Sequence, residues 1–111
     1  MKLSCIICIH ERPYAVLEEV FASLKGQAHD ELLIVLDRTP VVQADFIMDF
    51  WKHDKRVKYE TLGGPPGWRS PVLSWNAGFK KATVDVLYCF SSETVQREGN
   101  IAKAKVHMDA T

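Results

Sequence analysis

Two apolar runs near the start of the chain are its strongest structural signal. Leu3 to Ile9 (LSCIICI) and Glu31 to Asp37 (ELLIVLD) are almost continuously apolar. Such runs are typical of strands that are buried on both faces of a parallel sheet. A third segment, Val57 to Leu62 (VKYETL), alternates apolar and polar residues instead. The alternation indicates one solvated face, so we place this strand at an edge of the sheet.

Between these strands the apolar positions recur at helical spacing. Residues 12–26 show this period, with Pro13 suited to the first turn and Gly26 to the C-terminal cap. Thr39-Pro40 is expected to cap and open a second helix whose apolar side extends to Trp51. Strand and helix therefore alternate, which is the order of right-handed crossovers between parallel strands.

The second half of the chain continues the alternation. Residues 63–67 (GGPPG) form a loop by composition, and Ser70-Pro71 repeats the cap-then-proline signal ahead of a third helix. The segment 84–90 (VDVLYCF) is a fourth strand, and residues 97–108 form a closing helix. The chain of 111 residues suits one domain, 1–111. We predict an α/β fold with an open, mainly parallel sheet and helices on both faces.

The charge balance restricts the kinds of partner. The chain has 14 basic and 14 acidic side chains, and hydrophobic residues make up 47%. A neutral chain has no global field to attract nucleic acid or an anionic membrane, so a local cluster would have to bind any anion. No apolar stretch approaches the roughly 20 residues of a membrane span. The first residues lack the small-residue cleavage site of a signal peptide.

The cysteines point to a reducing compartment. Cys5, Cys8 and Cys89 are odd in number and lie in apolar runs, which argues against a disulfide framework. Cys5 and Cys8 form a C-x-x-C pair, but a spacing of three within a strand directs the two thiols to opposite faces. That geometry argues against a zinc or redox site. We expect a cytoplasmic protein.

Polar residues follow three of the four predicted strands. They are His10 to Arg12, Asp37 to Thr39, and Ser91 to Glu93. In an open α/β sheet, ligands bind beyond the carboxyl ends of the strands. Instead of binding a ligand, the polar residues at each strand end could cap a helix or form a turn, since residues of these types are common in both. No G-x-G-x-x-G or phosphate-loop motif occurs, and the four histidines lack metal-ligand spacing.

Three stretches together resemble family 2 glycosyltransferases. The opening LSCIICIHERP looks like the family's first apolar strand followed by PTYNRP, and ELLIVLDRT is similar to its EIIVVDDGS. LSWNAGFKKATVDVLYCFSSE resembles its ARNAGIKAATGDYILFLDDD. The stretches occur in the family's order and span nearly the whole chain. The resemblance implies the GT-A nucleotide-diphospho-sugar transferase fold, with strand order 3-2-1-4.

The resemblance also implies a site for a UDP- or GDP-linked sugar. Glu11 and Asp37 fall where the family holds the nucleotide base and ribose, although the family usually has asparagine at the position of Glu11. Ile9, at the end of the first strand, is expected to line the same site. Asn76 matches the family's helix asparagine near the nucleotide-sugar. The preceding family arginine is Trp75 here, so we expect Arg69 in the loop before the helix to contact the diphosphate instead.

The metal motif of the resemblance is degenerate. The family's Asp-x-Asp falls on Ser91-Ser92-Glu93, which retains one carboxylate. Mn²⁺ and Mg²⁺ require anionic oxygen ligands, and serine hydroxyls are weak replacements. We expect Glu93 to hold a divalent metal weakly or not at all, and Ser91 to line the nucleotide-sugar site.

Family enzymes continue well beyond this motif to supply an acceptor site and a carboxylate base. We therefore expect the chain to be a donor-binding half without an acceptor half, inactive alone, or a fragment or subunit of a complete transferase. The remaining alternative is an α/β protein-interaction module that binds no nucleotide. The apolar fourth strand needs a cover, which we expect from the closing helix or from a second copy in a homodimer.

Overall fold

A parallel sheet forms the centre of the structure. The computed structural model describes residues 2–65, 72–83, 86–92 and 95–109. The elements within this part of the chain are β1 (Leu3–Ile9), α1 (Tyr14–Lys25), β2 (Glu31–Asp37), α2 (Val41–Trp51), β3 (Val57–Leu62), α3 (Val72–Lys81), β4 (Val86–Ser91) and α4 (Asn100–Asp109).

The strands lie in the order β3-β2-β1-β4, and each neighbouring pair is parallel. This confirms the predicted strand order and the edge position of β3. Ile9 of β1 pairs with Leu36 of β2, and Cys8 pairs with Ser91 of β4. The carboxyl ends of the three strands are therefore level, and the residues that follow them meet at one edge of the sheet.

Helices cover both faces of the sheet, as predicted. On one face, α1, α2 and α4 bury a large apolar cluster around Phe21, Trp51 and Ile101. On the other face, α3 packs against a smaller cluster of Ile6, Leu33 and Val35. Strands buried between two helical layers need the continuous apolar runs that β1 and β2 carry.

The two cysteines of β1 lie on opposite faces, which confirms the prediction from their spacing. Cys5 belongs to the larger cluster, and Cys8 packs against the smaller one. Burial raises the pKa of both thiols to about 12. The neutral thiol is a poor nucleophile and metal ligand, so these cysteines are packing residues.

Helix α3 approaches β1 closely at Gly78. A Cβ atom added to Gly78 would lie 2.7 Å from Cγ2 of Ile6, which is fully buried. The helix can therefore lie flat on the sheet only because this position has no side chain.

Proline precedes two helices, but the predicted cap at Thr39 is wrong. Pro13 and Pro40 occupy the N-cap positions of α1 and α2, and neither helix has a side-chain cap. The Thr39 hydroxyl instead donates a hydrogen bond to the carbonyl oxygen of Ile9 at 2.7 Å. This bond ties the end of β1 to the segment after β2.

Helix α4 begins at Asn100, three positions after the predicted start at Arg97. Gly99 has a φ of 72°, a left-handed backbone conformation that interrupts a right-handed helix. The turn closes with a hydrogen bond from the Asn100 N–H to the Arg97 carbonyl at 3.0 Å.

A buried carboxylate organises the amino edge of the sheet. Glu31 accepts hydrogen bonds from the Ser4 hydroxyl at 2.6 Å, from the Thr83 hydroxyl at 3.0 Å and from the Lys58 ammonium. Burial alone would raise the pKa of Glu31, but the hydrogen bonds from Lys58, Ser4 and Thr83 lower it to about 2. One carboxylate thus connects β1, β2, β3 and the segment after α3.

His29 is buried at the same amino edge of the sheet. Neither of its ring nitrogens has a hydrogen-bond partner among the described residues. Burial, followed by the charge of Arg56, lowers the pKa of His29 to about 4. The imidazole is therefore neutral at physiological pH. The Arg56 guanidinium donates to the carbonyl oxygens of Gln27 and His29, each at 3.0 Å.

The described side chains of the fourth strand contact clusters on both faces, since Cys89 packs against the smaller cluster of Ile6, Leu33 and Val35. Tyr88 packs against the cluster that contains Ile101 of α4, as expected for a closing helix. Leu87 points to the face of α3 and remains 39% exposed. Among the described helices, none has the length and apolar character needed to cross a bilayer.

Candidate functional site at the carboxyl edge

Asp37 is the central carboxylate of the carboxyl edge. Asp37 is buried, with 7% of its surface exposed. Its carboxylate accepts a hydrogen bond from Nε of Arg38 at 3.0 Å and one from the Ser74 hydroxyl at 3.3 Å. The Asp37 carbonyl oxygen accepts from Nδ1 of His10 at 2.8 Å. The tips of β1 and β2 and the start of α3 are therefore connected through this one residue.

Arg38, which contacts Asp37, has an unusual backbone conformation. Its φ is 52°, in the left-handed region that favours glycine. Its N–H donates to the Leu62 carbonyl at 2.8 Å, and its guanidinium donates to the Pro65 carbonyl at 2.7 Å. Arg38 thus holds the loop after β3 against Asp37. Non-glycine residues with positive φ concentrate at functional sites, where the surrounding contacts maintain them.

A second arginine joins the tips of β1 and β4. Nε of Arg12 donates to the Ser92 hydroxyl at 2.9 Å. The backbone of Arg12 is held by one side chain, because Gln43 accepts from its N–H at 3.3 Å and donates to its carbonyl at 2.8 Å. The Gln43 amide and the Ser92 hydroxyl are both buried. The position of Arg12 is therefore fixed at three points.

The residues predicted for the site occupy different environments. Ile9 is buried at the end of β1, and Glu11 is exposed just beyond it. Asn76 is exposed on α3 and lies at a groove of about 640 Å³ between α3 and β3. The groove is also lined by Glu60, Leu62, Gly63, Leu73, Ala77, Lys80 and Lys81.

Three predicted residues are described in part or not at all. Ser91 ends β4 and is described only by its backbone, while Arg69 and Glu93 lie outside the described residues. Within the described part of the chain, no group of three His, Cys, Asp or Glu side chains is placed to hold a metal ion.

The sequence placed Arg12 and Arg38 in the polar segments after β1 and β2, but it did not predict their contacts. Arg12 and Arg38 directly follow the two predicted acids, so their proximity was visible in the sequence. Gln43 and Ser74 reach the edge from helices, and no local motif identified them. Ser74 lies two positions before Asn76, and it is Ser74 that contacts Asp37.

The sheet order and helix layers agree with the GT-A fold, the nucleotide-diphospho-sugar transferase fold that the resemblance implies, and the structural matches support the same fold. The chain is similar to S. aureus TarS 1-349, with a TM-score of 0.82 at 20% sequence identity, and the match covers 99% of this chain and 33% of that one. A structure of S. aureus TarS matches with a TM-score of 0.81 at 21% identity, covering 99% of this chain and 20% of that one.

The chain thus spans a third or less of the length of each of these two chains. No family model and no curated protein matches the sequence.

Proposed function

We propose that residues 1–111 form one domain that binds a nucleotide-diphospho-sugar, linked to UDP or GDP, at the carboxyl edge of the sheet. The observation that carries the proposal is Asp37, a buried carboxylate fixed at the tip of β2 in a sheet of GT-A order. The crevice beyond the strand ends is the usual ligand position in such sheets. The free cysteines Cys5, Cys8 and Cys89 support a cytoplasmic location.

In this proposal Asp37 accepts hydrogen bonds from a base N–H or a ribose hydroxyl. A carboxylate has about four lone-pair positions and can accept several hydrogen bonds at once. Ile9, Glu11, Asn76 and Ser91 are proposed to line the nucleotide-sugar site, as their sequence positions suggest. Arg69 is proposed to contact the diphosphate. Glu93 is proposed as a weak ligand for Mn²⁺ or Mg²⁺.

Sugar transfer needs an acceptor site and a base in addition to donor binding. Because the match covers a third of TarS 1-349, we propose that this chain corresponds to the donor-binding part of a glycosyltransferase. Hexosyl transfer would then require an acceptor part from another segment or subunit. The domain alone is proposed to bind the donor without transferring its sugar.

Asp37→Asn tests the nucleotide site. We expect the variant to bind UDP or GDP and their sugars about tenfold more weakly, because the amide replaces one charged acceptor with a donor. Isothermal titration with and without Mn²⁺ measures the change. Asp49→Asn on α2 is the matched control, since its side chain is 74% exposed and pairs only at the surface with Lys52. Equal affinities in Asp37→Asn and the wild type would contradict the proposal.

We also propose that β4, at the edge of the sheet, pairs with a second copy of the chain near Leu87. Leu87 is apolar and 39% exposed, and an exposed apolar sheet edge tends to be covered. Leu87→Lys is expected to shift the protein toward the monomer in light scattering. Glu60→Lys on the opposite edge strand should leave the mass unchanged. A monomeric wild type would contradict this part of the proposal.

One observation favours the protein-interaction module as a second candidate. Apolar residues are exposed in the first turns of helices at the carboxyl edge, namely Val41, Val42 and Leu73. Such residues suit a protein-covered surface. The nucleotide titration separates the two candidates, because the interaction module binds neither UDP nor GDP.

A further inference from the structure

We propose that Arg12 is a fixed cation that binds phosphate groups at the junction of β1 and β4, so that anion binding there needs no metal ion. This inference rests on the proposed nucleotide site and gives Arg12, which the sequence placed in the polar segment after β1, the role of binding its phosphate groups.

The first argument is the rigidity of Arg12. Its backbone N–H and carbonyl are both bound by the side chain of Gln43, which is 8% exposed. Its side chain donates from Nε to the hydroxyl of Ser92, which is 3% exposed. An arginine on a surface loop normally loses side-chain entropy when it binds a ligand. Here the fold already restrains it, so less entropy is lost on binding.

The second argument is the chemistry of the guanidinium. Its planar fork of N–H donors matches two oxygens of a phosphate group, and the group stays charged at any physiological pH. Charged hydrogen bonds of this kind are about twice as strong as neutral ones. Arg12 is partly exposed, so a ligand at the edge can reach it.

The third argument is the position of Arg12 at the carboxyl edge. Ile9, the last residue of β1 and three positions before Arg12, pairs with Leu36, so the Arg12 segment lies beside the tip of β2 with Asp37. Helix α1 begins two residues later, has 12 residues and carries no acidic side chain in its first turn. The positive end of its dipole adds to the field of the guanidinium.

Together these features give the edge two functions. Asp37 is suited to hydroxyl and N–H donors, as in a ribose or a base, and Arg12 is suited to acceptor oxygens, as in a diphosphate. A nucleoside diphosphate carries both types of group. Its phosphate charge is then met by Arg12 whether or not Glu93 retains a metal.

The test uses inorganic pyrophosphate and UDP as probes, titrated calorimetrically into the full chain in buffer with EDTA. We expect pyrophosphate to bind the wild type without metal and Arg12→Gln to weaken it by about tenfold. Ser92→Ala keeps the charge but removes the side-chain restraint, and it should weaken binding by about threefold. Arg97→Gln is the matched control, because Arg97 is exposed and its carbonyl contacts Gln27 near the end of α1, away from the site.

Loss of binding must not come from unfolding. Arg12→Gln retains the backbone atoms that contact Gln43, so we expect its melting temperature to remain close to that of the wild type. Arg12→Lys provides a second variant that keeps the charge without the fork. It should bind pyrophosphate more weakly than the wild type and more tightly than Arg12→Gln.

The outcomes separate this inference from the proposed function. Pyrophosphate binding that is equal in Arg12→Gln and the wild type overturns the role of Arg12, and so does binding that needs Mn²⁺. If UDP still binds in either case, the nucleotide function stands. If UDP binds no more tightly than pyrophosphate while Arg12 is required, the phosphate site stands and the nucleotide function falls. If neither probe binds the wild type, both fall.

Discussion

Glu31→Ala is expected to destabilise the protein by about 3 kcal/mol at neutral pH. The substitution removes a buried carboxylate and leaves the Ser4 hydroxyl and the Thr83 N–H and hydroxyl without their acceptor. Lys58 loses its partner but is 42% exposed along its side chain, so water can solvate the ammonium. Urea unfolding followed by circular dichroism measures the change in the free energy of unfolding.

The loss should depend on pH in a defined direction. Because the folded pKa of Glu31 is lowered from 4.5 to about 2, its stabilisation is fully present above pH 4.5. It falls as the pH decreases toward 2, since the unfolded chain then binds the proton more readily. The linked free energy is about 3 kcal/mol over this range. The stability difference between the wild type and Glu31→Ala should therefore shrink on acidification.

Glu60→Ala is the matched control for Glu31→Ala. Glu60 lies on the neighbouring edge strand and pairs with Lys81 at 3.6 Å, with both side chains 39% exposed. An exposed ion pair contributes roughly 0 to 1 kcal/mol, so this variant should stay close to the wild type at every pH. A loss as large as that of Glu31→Ala would show that burial is not the cause.

His29 adds to acid sensitivity at higher pH. Its pKa is lowered from 6.5 to about 4 in the folded protein, so its neutral form stabilises the fold fully above pH 6.5. That contribution is lost as the pH falls toward 4, because the unfolded imidazole takes up a proton first. The wild type should therefore lose stability in two ranges, first through His29 and then through Glu31.

Gly78→Val is expected to destabilise the protein by about 3 kcal/mol. The new Cβ would lie 2.7 Å from Cγ2 of Ile6, and Ile6 is fully buried in the sheet. Ile6 is β-branched and has few alternative rotamers, so the helix must move away from β1. Part of the cost is the loss of packing between α3 and the cluster of Ile6, Leu33 and Val35. Thermal unfolding measures it as a lower melting temperature.

Two variants test the cause of this loss. Gly26→Ala is a control, because a Cβ at Gly26 meets nothing within 4 Å and its φ is −98°. It should be neutral or slightly stabilising. In an Ile6→Ala background the cost of Gly78→Val should fall by at least about 1 kcal/mol, since the clashing methyl is absent. If the losses of stability from Gly78→Val and Ile6→Ala were additive in the double variant, a direct clash would be contradicted.

The strands were the most predictable part of the fold. The bounds predicted for β1, β2 and β3 agree with the structure, because burial on two faces or on one leaves a continuous or an alternating pattern. Helix starts were less predictable. Thr39 was assigned to a cap from its type and the proline that follows it, but in the folded protein its hydroxyl donates to the carbonyl oxygen of Ile9. That choice depends on a contact between residues 30 positions apart.

The candidate site was predictable only where it follows a strand. Asp37 was identified because it ends an apolar run, and parallel strands bring such ends to one edge. Arg38 belonged to the same polar segment, but its contact with Asp37 was not predicted, and Ser74 was not identified. A backbone φ of 52° at Arg38 has no sequence signature, and Ser74 reaches Asp37 from a helix 37 positions away.

The pattern of apolar positions by itself determined the strands, the parallel sheet and the edge at which the polar residues collect, because each of these follows from burial along a short segment. The tertiary structure decided which side chains meet at that edge. Arg38 pairs with Asp37, Ser92 accepts a hydrogen bond from Arg12, and Gln43 fixes the backbone of Arg12. These contacts depend on distances between strands and helices that are remote in the chain, and no local pattern encodes such distances.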